Sequence, residues 1–375
     1  MLGGNEWKYV KECLDTNWVS SAGPFVDRFE QMIARRLGVR HAIAVINGTA
    51  ALHLSLLIAG VERDDEVLMP ALTFIAPANA VRYLGAWPVF LDVEPGCWQL
   101  DPERLAAFIE HECVWRAGAL WNRRTSRRVR AILPVDILGH PCDIDAIREV
   151  AETRDLLVVE DATEALGALY KGRPVGQSAD LACLSFNGNK IVTSGGGGMI
   201  VTNREDWAIR ARYLSTQAKD DPVEYIHRSI GFNYRQTNIQ AALGVAQVEQ
   251  LDARVDAKRR IAATYTSALG VVPGIGVMTE ASWATSTFWL YTITIGSGRD
   301  EADRRALLGR LASDGIESRP IWQPLNQSPA MAGCPSAETP VAVRVAASAL
   351  SLPSSADLTP ADQARVIAAV SASVQ

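Results

Sequence analysis

A chain of 375 residues with 48% hydrophobic and 21% charged side chains has the composition of a soluble globular protein of one large and one smaller domain. Its formal net charge of −5 argues against nucleic acid as a bulk partner, and the single basic run (Arg123, Arg124, Arg127, Arg128, Arg130) is too short to reverse that. Six scattered cysteines without a Cys-x-x-Cys read as reduced thiols, and the five histidines show no zinc spacing. No signal peptide and no apolar run of about 20 residues occur, so a cytoplasmic chain with no membrane span and no metal is expected.

Short apolar runs at 42–46, 66–69, 88–93, 129–136, 156–161, 182–186 and 198–202 read as strands. Helical patterns fall at 49–59, 74–84, 143–153 and 205–214. Near-continuous apolar strands alternating with helices predict a mostly parallel sheet covered on both faces. From 237 to about 269, Ile239, Leu243, Ala246, Val248 and Leu251 recur at helical spacing and predict one long helix. A strand at 287–295 and helices at 301–311 and 360–370 complete a smaller α+β domain. The expected division is a large α/β domain over 1–250, with the connecting helix, and a small C-terminal domain over 251–375.

Three features carry candidate chemistry. Asn47-Gly48-Thr49-Ala50 follows a strand and opens a helix, where free N–H groups and the helix dipole favour an anion. The same run also reads as an ordinary turn with Thr49 as helix cap. Asp161 ends a strand, where ligands bind in α/β sheets, although a loop-capping role fits equally. Lys190 lies in Ser185-Phe186-Asn187-Gly188-Asn189-Lys190, shortly before Gly195–Gly198. A lysine desolvated in a cramped pocket becomes a nucleophile and proton carrier, whereas the bland alternative is a surface lysine in a flexible turn. An anion cradle, a carboxylate and a lysine in this order form a constellation suited to pyridoxal 5'-phosphate (PLP).

The segments 160–167, 170–173 and Ser-Phe-x-x-x-Lys resemble the DegT/DnrJ/EryC1/StrS family of sugar aminotransferases. So do 21–24, 70–74, 136–141, 231–237 and 315–320, in the family's order. The resemblance implies the PLP-dependent fold type I: a large α/β domain with a mostly parallel mixed sheet and a smaller α+β domain. It implies that Lys190 forms the Schiff base, that Asp161 pairs with the pyridinium nitrogen, and that Phe74 stacks on the ring. Backbone at Thr49 and Ala50, with the Ser185 hydroxyl, is implied to hold the phosphate, joined by Asn233 from the neighbouring subunit of a homodimer; Gly48 and Asn187 are further cofactor-binding residues. Arg319 lies where the family meets the sugar nucleotide or the donor carboxylate, and Trp322 follows it. Glu164 stands where many members carry Gln or His and is a candidate for the cofactor's edge or the sugar, or a structural carboxylate. Trp115, Trp121, Trp283 and Trp289 read as packing and interface residues. The basic run reads as a solvated loop or as an approach to a diphosphate.

The resemblance further implies transfer from L-glutamate, through pyridoxamine phosphate, to C4 of a nucleotide-linked 4-keto-6-deoxy sugar. The details look like the branch making 4-amino-4,6-dideoxy-N-acetyl sugars. A 3-keto-sugar aminotransferase and a non-catalytic sugar-nucleotide-binding regulator are the alternatives.

Overall fold

Strands buried on both faces need an apolar residue at nearly every position, and the chain supplies several such runs. In the computed structural model, which describes residues 2–221, 223–296 and 301–374, they become a central sheet. In chain order the strands are β1 (His41–Val45), β2 (Glu66–Pro70), β3 (Trp87–Leu91), β4 (Cys113–Arg116), β5 (Ala119–Asn122), β6 (Arg128–Ile132), β7 (Leu157–Asp161) and β8 (Leu169–Tyr170). They continue as β9 (Arg173–Pro174), β10 (Leu181–Ser185), β11 (Gly198–Thr202), β12 (Ile275–Val277), β13 (Ala284–Thr285), β14 (Tyr291–Ile295), β15 (Arg319–Pro320) and β16 (Ala349–Leu352).

The central order is β1-β11-β10-β7-β6-β2-β3, with the β4–β5 hairpin paired to the start of β6. From β3 across to β10 every pairing is parallel, while β11 runs antiparallel to both β10 and β1. Parallel strands direct their C-terminal ends to one edge, so Asp161 and Ser185 open on the same side.

A second, four-stranded antiparallel sheet, β12-β14-β16-β15, covers an apolar cluster drawn from residues 261–370, with Tyr265 and Tyr291 stacked at 5.0 Å. Ile321, Leu325, Met331 and Val345, however, join the core of the large sheet. The C-terminal third therefore serves two cores.

Three expectations differ from the structure. The single helix over 237–269 is two, Asn238–Val248 and Leu251–Leu269. The break places Glu249 against Asn5, Tyr9 and Arg28, while Gln247 and Gln250 both donate to Glu6. Neither Gly nor Pro marks it; contacts with the N-terminal helices Glu6–Asp15 and Pro24–Leu37 override local propensity. The strand expected over 287–295 starts only at Tyr291, because Phe288 is left-handed (φ 48°) and 286–287 bond to Gly139. Only part of the basic run is a solvated loop: Arg123 and Arg124 are exposed, whereas Arg128 grips Asp65 at 2.6 and 2.8 Å, Arg130 donates to the Ala59 carbonyl and Arg127 lies over Trp87. None of it lines the cavity described below, so an approach to a diphosphate there is not supported.

The loop after β6 joins the two sheets. Leu138 and Gly139 are successive left-handed residues (φ 61° and 85°), and the Gly139 carbonyl accepts from the Thr287 N–H and the Ser286 hydroxyl, both at 2.9 Å. A β-carbon at position 139 would fall against Thr287 Oγ1 and 2.8 Å from the Trp289 amide nitrogen. Gly139→Ala is thus expected to destabilise the fold by about 2–4 kcal/mol through strain and overpacking. Denaturant unfolding checks this, and a loss below about 1 kcal/mol would remove the constraint.

Candidate active site

Lys190 follows β10 in a tight turn, its N–H donating to the Asn187 carbonyl at 3.0 Å. The ammonium reaches Glu164 Oε1 at 3.3 Å and lies 3.9 Å from the centre of the Trp289 ring. That ring is held by its own N–H, which donates to the Asn189 carbonyl at 2.8 Å. Glu164 is fixed in turn by the Leu138 N–H at 2.8 Å, so the strained loop after β6 aims the carboxylate. Asp161 ends β7, and its Oδ1 accepts from the Thr163 N–H at 3.0 Å.

Both carboxylates are buried. Burial pushes Asp161 and Glu164 above the ordinary carboxylate range, while Lys190 pulls both back and the Thr163 and Leu138 N–H groups hold them down further. The site sets a partly buried ammonium against one buried carboxylate, Glu164, and an indole face, with a second buried carboxylate, Asp161, on the same cavity wall.

These groups line one cavity of about 1020 Å³, with Gly48, Thr49, Phe74, Ser185, Asn187, Arg319 and Trp322 on its wall. The cap of the helix Gly48–Ile58 is Asn47, not Thr49, and its side chain takes the Ala50 N–H at 2.8 Å. The Ala50 N–H expected to hold an anion is therefore already bonded, leaving Thr49 and Ser185 as the polar neighbours. A β-carbon on Gly48 would come within 3.0 Å of Ser185 Cβ and 3.2 Å of Thr163 Cγ2, which keeps that hollow open. A phosphate-sized hollow at a helix N-terminus, a buried carboxylate and a partly buried lysine amine fit pyridoxal phosphate.

The remaining expected residues are spread differently. Phe74 is half exposed on the wall. Arg319 is exposed and pairs with Glu317 at 2.7 Å. Asn233 is exposed, bridges to Thr216 and does not line the cavity of its own chain. Trp289, read from sequence as packing, is buried and also faces Lys190; an isolated Trp next to a strand carries no signal for that. Thr163, Arg254 and Lys258 also line the cavity and were not singled out. Only the Asp161-x-Thr163 spacing of an Asx turn could have pointed to the first.

A lysine, a strand-end carboxylate and a glycine-opened cradle on this sheet define a PLP-dependent aminotransferase of fold type I. A family model described as the DegT/DnrJ/EryC1/StrS aminotransferase family matches residues 1–371, and the chain belongs to that family. Among similar proteins, a GDP-perosamine synthase of Caulobacter vibrioides is 42% identical, covering 98% of this chain and 95% of that protein. A GDP-perosamine synthase of Escherichia coli O157:H7 is 38% identical over 88% of this chain and 84% of its own. Among solved structures, DesV of S. venezuelae in complex with a ketimine intermediate superposes with a TM-score of 0.89 at 32% identity, covering 99% of this chain and 94% of that one. The protein is a PLP-dependent sugar-nucleotide aminotransferase. No helix among the described residues is long and apolar enough to cross a membrane.

Behind Asp161, on the other face of β7, Glu160 and Asp136 form a buried carboxyl pair. Glu160 accepts from the Gly176 N–H at 3.0 Å and Asp136 Oδ1 from the Cys142 N–H at 2.8 Å, while Asp136 Oδ2 has no donor. Burial pushes both up, Glu160 to about 7, so the folded pair retains a proton. The unfolded chain releases it near the ordinary 4.5, so this contribution to stability is full at low pH and is lost as pH rises through about 7. Glu160→Gln offers a permanent donor to Asp136 Oδ2. Relative to wild type the variant should gain on the order of 2 kcal/mol between about pH 5 and 8. Denaturant midpoints across that range measure it, and a constant difference would exclude the shared proton.

Proposed function

We propose that this aminotransferase moves the amino group of L-glutamate to C4 of a nucleotide-linked 4-keto-6-deoxy hexose, giving a 4-amino-4,6-dideoxy sugar, with active sites shared across a homodimer. The observation that carries the chemistry is the Lys190 ammonium held 3.3 Å from Glu164 and against Trp289 in a cavity that continues to Arg319. The similar GDP-perosamine synthases support a GDP-linked sugar aminated at C4 and lend no support to an N-acetylated or UDP-linked one.

When bound, pyridoxal phosphate supplies an aldehyde that joins an amine and a ring that draws electrons from the neighbouring carbon. Asp161, buried and facing the cavity, would hold the proton on the ring nitrogen. Thr49, Ser185 and Asn187 would hold the phosphate, with Phe74 beside the ring. The Lys190 amine, once free, takes the proton from the donor's Cα and delivers one to the sugar carbon. Glu164 keeps that amine within reach and Trp289 limits its rotation. Arg319, a planar permanent cation, would bind a substrate carboxylate or phosphate, and Trp322 would cover the sugar.

Trp7, Trp18, Tyr83, Tyr225 and Ile230 are large and exposed, and are candidates for the surface that a partner chain would cover. Asn233, outside its own cavity, would complete the partner's phosphate site.

Incubating the holoenzyme with L-glutamate and a panel of nucleotide 4-keto-6-deoxy sugars should give a product heavier by the exchange of a keto oxygen for an amine, seen by mass spectrometry. Lys190→Ala should lose the cofactor's visible absorbance and its turnover; normal turnover would end the assignment. Mixing inactive Lys190→Ala with an inactive Asn233→Asp chain should restore activity towards half per mixed dimer. With subunit exchange confirmed, no recovery would refute the shared site.

A further inference from the structure

The cavity does not end at the lysine–carboxylate cluster. It continues along the helix Leu251–Leu269, which presents Arg254 and Lys258, one turn apart, to the same wall. Arg254 donates to the Ile191 carbonyl at 2.9 Å, next to Lys190 in sequence, and also reaches Gln247 and Glu6. Lys258 is different. It is only 6% exposed, and its ammonium makes one hydrogen bond, to the Ser354 carbonyl at 2.5 Å.

Among the described residues no carboxylate pairs with Lys258. The other charged groups on this part of the wall are Arg254, Asp357, Asp362 and Arg365; Asp362 is taken by Thr359, and Arg365 by the Asp314 carbonyl. A buried ammonium with two unused N–H groups and no counter-ion costs the fold several kcal/mol. A cation in that state beside a substrate cavity is a site for an anion.

We propose that Lys258 is a substrate-binding residue that takes an anionic oxygen of a substrate, either a carboxylate of the dicarboxylic amino donor or a phosphate of the sugar nucleotide. The inference rests on the aminotransferase reading above. One helical turn is about 5.4 Å, so Lys258 lies about that far along the helix from the residue bonded at Ile191, a distance the arm of a dicarboxylate can bridge. Burial also pulls Lys258 down to about 8, so it is charged at neutral pH and loses its charge as pH rises through that value.

The test is binding to the holoenzyme, read by tryptophan fluorescence, with two probes: glutarate, an unreactive dicarboxylate, and GDP, a diphosphate. Lys258→Met should raise Kd for at least one probe roughly 10- to 100-fold. An effect on glutarate alone assigns the carboxylate, and an effect on GDP alone assigns the phosphate. Wild-type affinity for that probe should fall between about pH 7.5 and 9, whereas Lys258→Arg should hold its affinity across the range. If Lys258→Met fails to fold, as thermal melting would show, the arginine variant and the pH series decide. Unchanged affinity for both probes in the folded methionine variant, or no pH dependence separating wild type from Lys258→Arg, overturns the proposal. The absorbance response of wild type to L-glutamate is scored separately and tests the reaction itself.

Discussion

Two buried carboxylates and one partly buried ammonium set the terms for this site. Burial raises both Asp161 and Glu164 above the ordinary carboxylate range, and the Lys190 ammonium, 3.3 Å from Glu164, offsets part of that cost for each. The geometry is also specific, since the ammonium contacts a carboxylate on one side and an indole face on another. A lysine held this way keeps its reach while losing the freedom to turn into solvent.

The sheet delivers these groups from distant parts of the chain. Parallel β7 and β10 bring Asp161 and Ser185 to one edge, and β11, the one antiparallel member of the central row, returns the chain so that its glycines meet the turn after β1. The loop after β6 then does two jobs through adjacent backbone groups: the Leu138 N–H orients Glu164, and the Gly139 carbonyl anchors the segment that leads to Trp289. Wall residues from the helix Leu251–Leu269 and from β15 and β16 close the cavity from the side of the second sheet. The two sides of the cavity thus come from different sheets, joined by the Gly139 hydrogen bonds and by Ile321, Leu325 and Met331 packed into the core of the large one.

Behind the cavity, the Glu160–Asp136 pair shows how the same strand treats its two faces. Asp161 looks toward Lys190 and remains under its influence, while one residue earlier Glu160 looks away and meets another carboxyl, Asp136, with which it shares a proton instead. Alternation along a strand, with period two, is the reason.

The sequence by itself determined the class of the fold, because apolar runs long enough to be strands alternated with amphipathic helices, and it marked Lys190, Asp161 and Glu164 by family motif. Local patterns also placed the cores of β1, β2, β3, β6, β7, β10 and β11 in the central sheet, but not the β4–β5 hairpin or the short strands β8, β9, β12, β13, β15 and β16. What the tertiary structure alone decided are the features produced by contacts between distant segments. The break before Leu251 follows from Arg28 meeting Glu249 and Glu6 meeting Gln250, pairs 221 and 244 positions apart. Trp289 faces Lys190 only because a left-handed Phe288 delays β14 and Gly139 ties the preceding residues down. Asn47 rather than Thr49 caps the first cradle helix, which changes which N–H remains for an anion. Lys258 sits in an ordinary-looking Lys-Arg-Arg run on a helix; that one of these three cations is buried against the cavity depends on the Ser354 carbonyl 96 residues away. Periodicity records which face of an element is apolar, but the partner that meets that face is fixed only when the chain has packed.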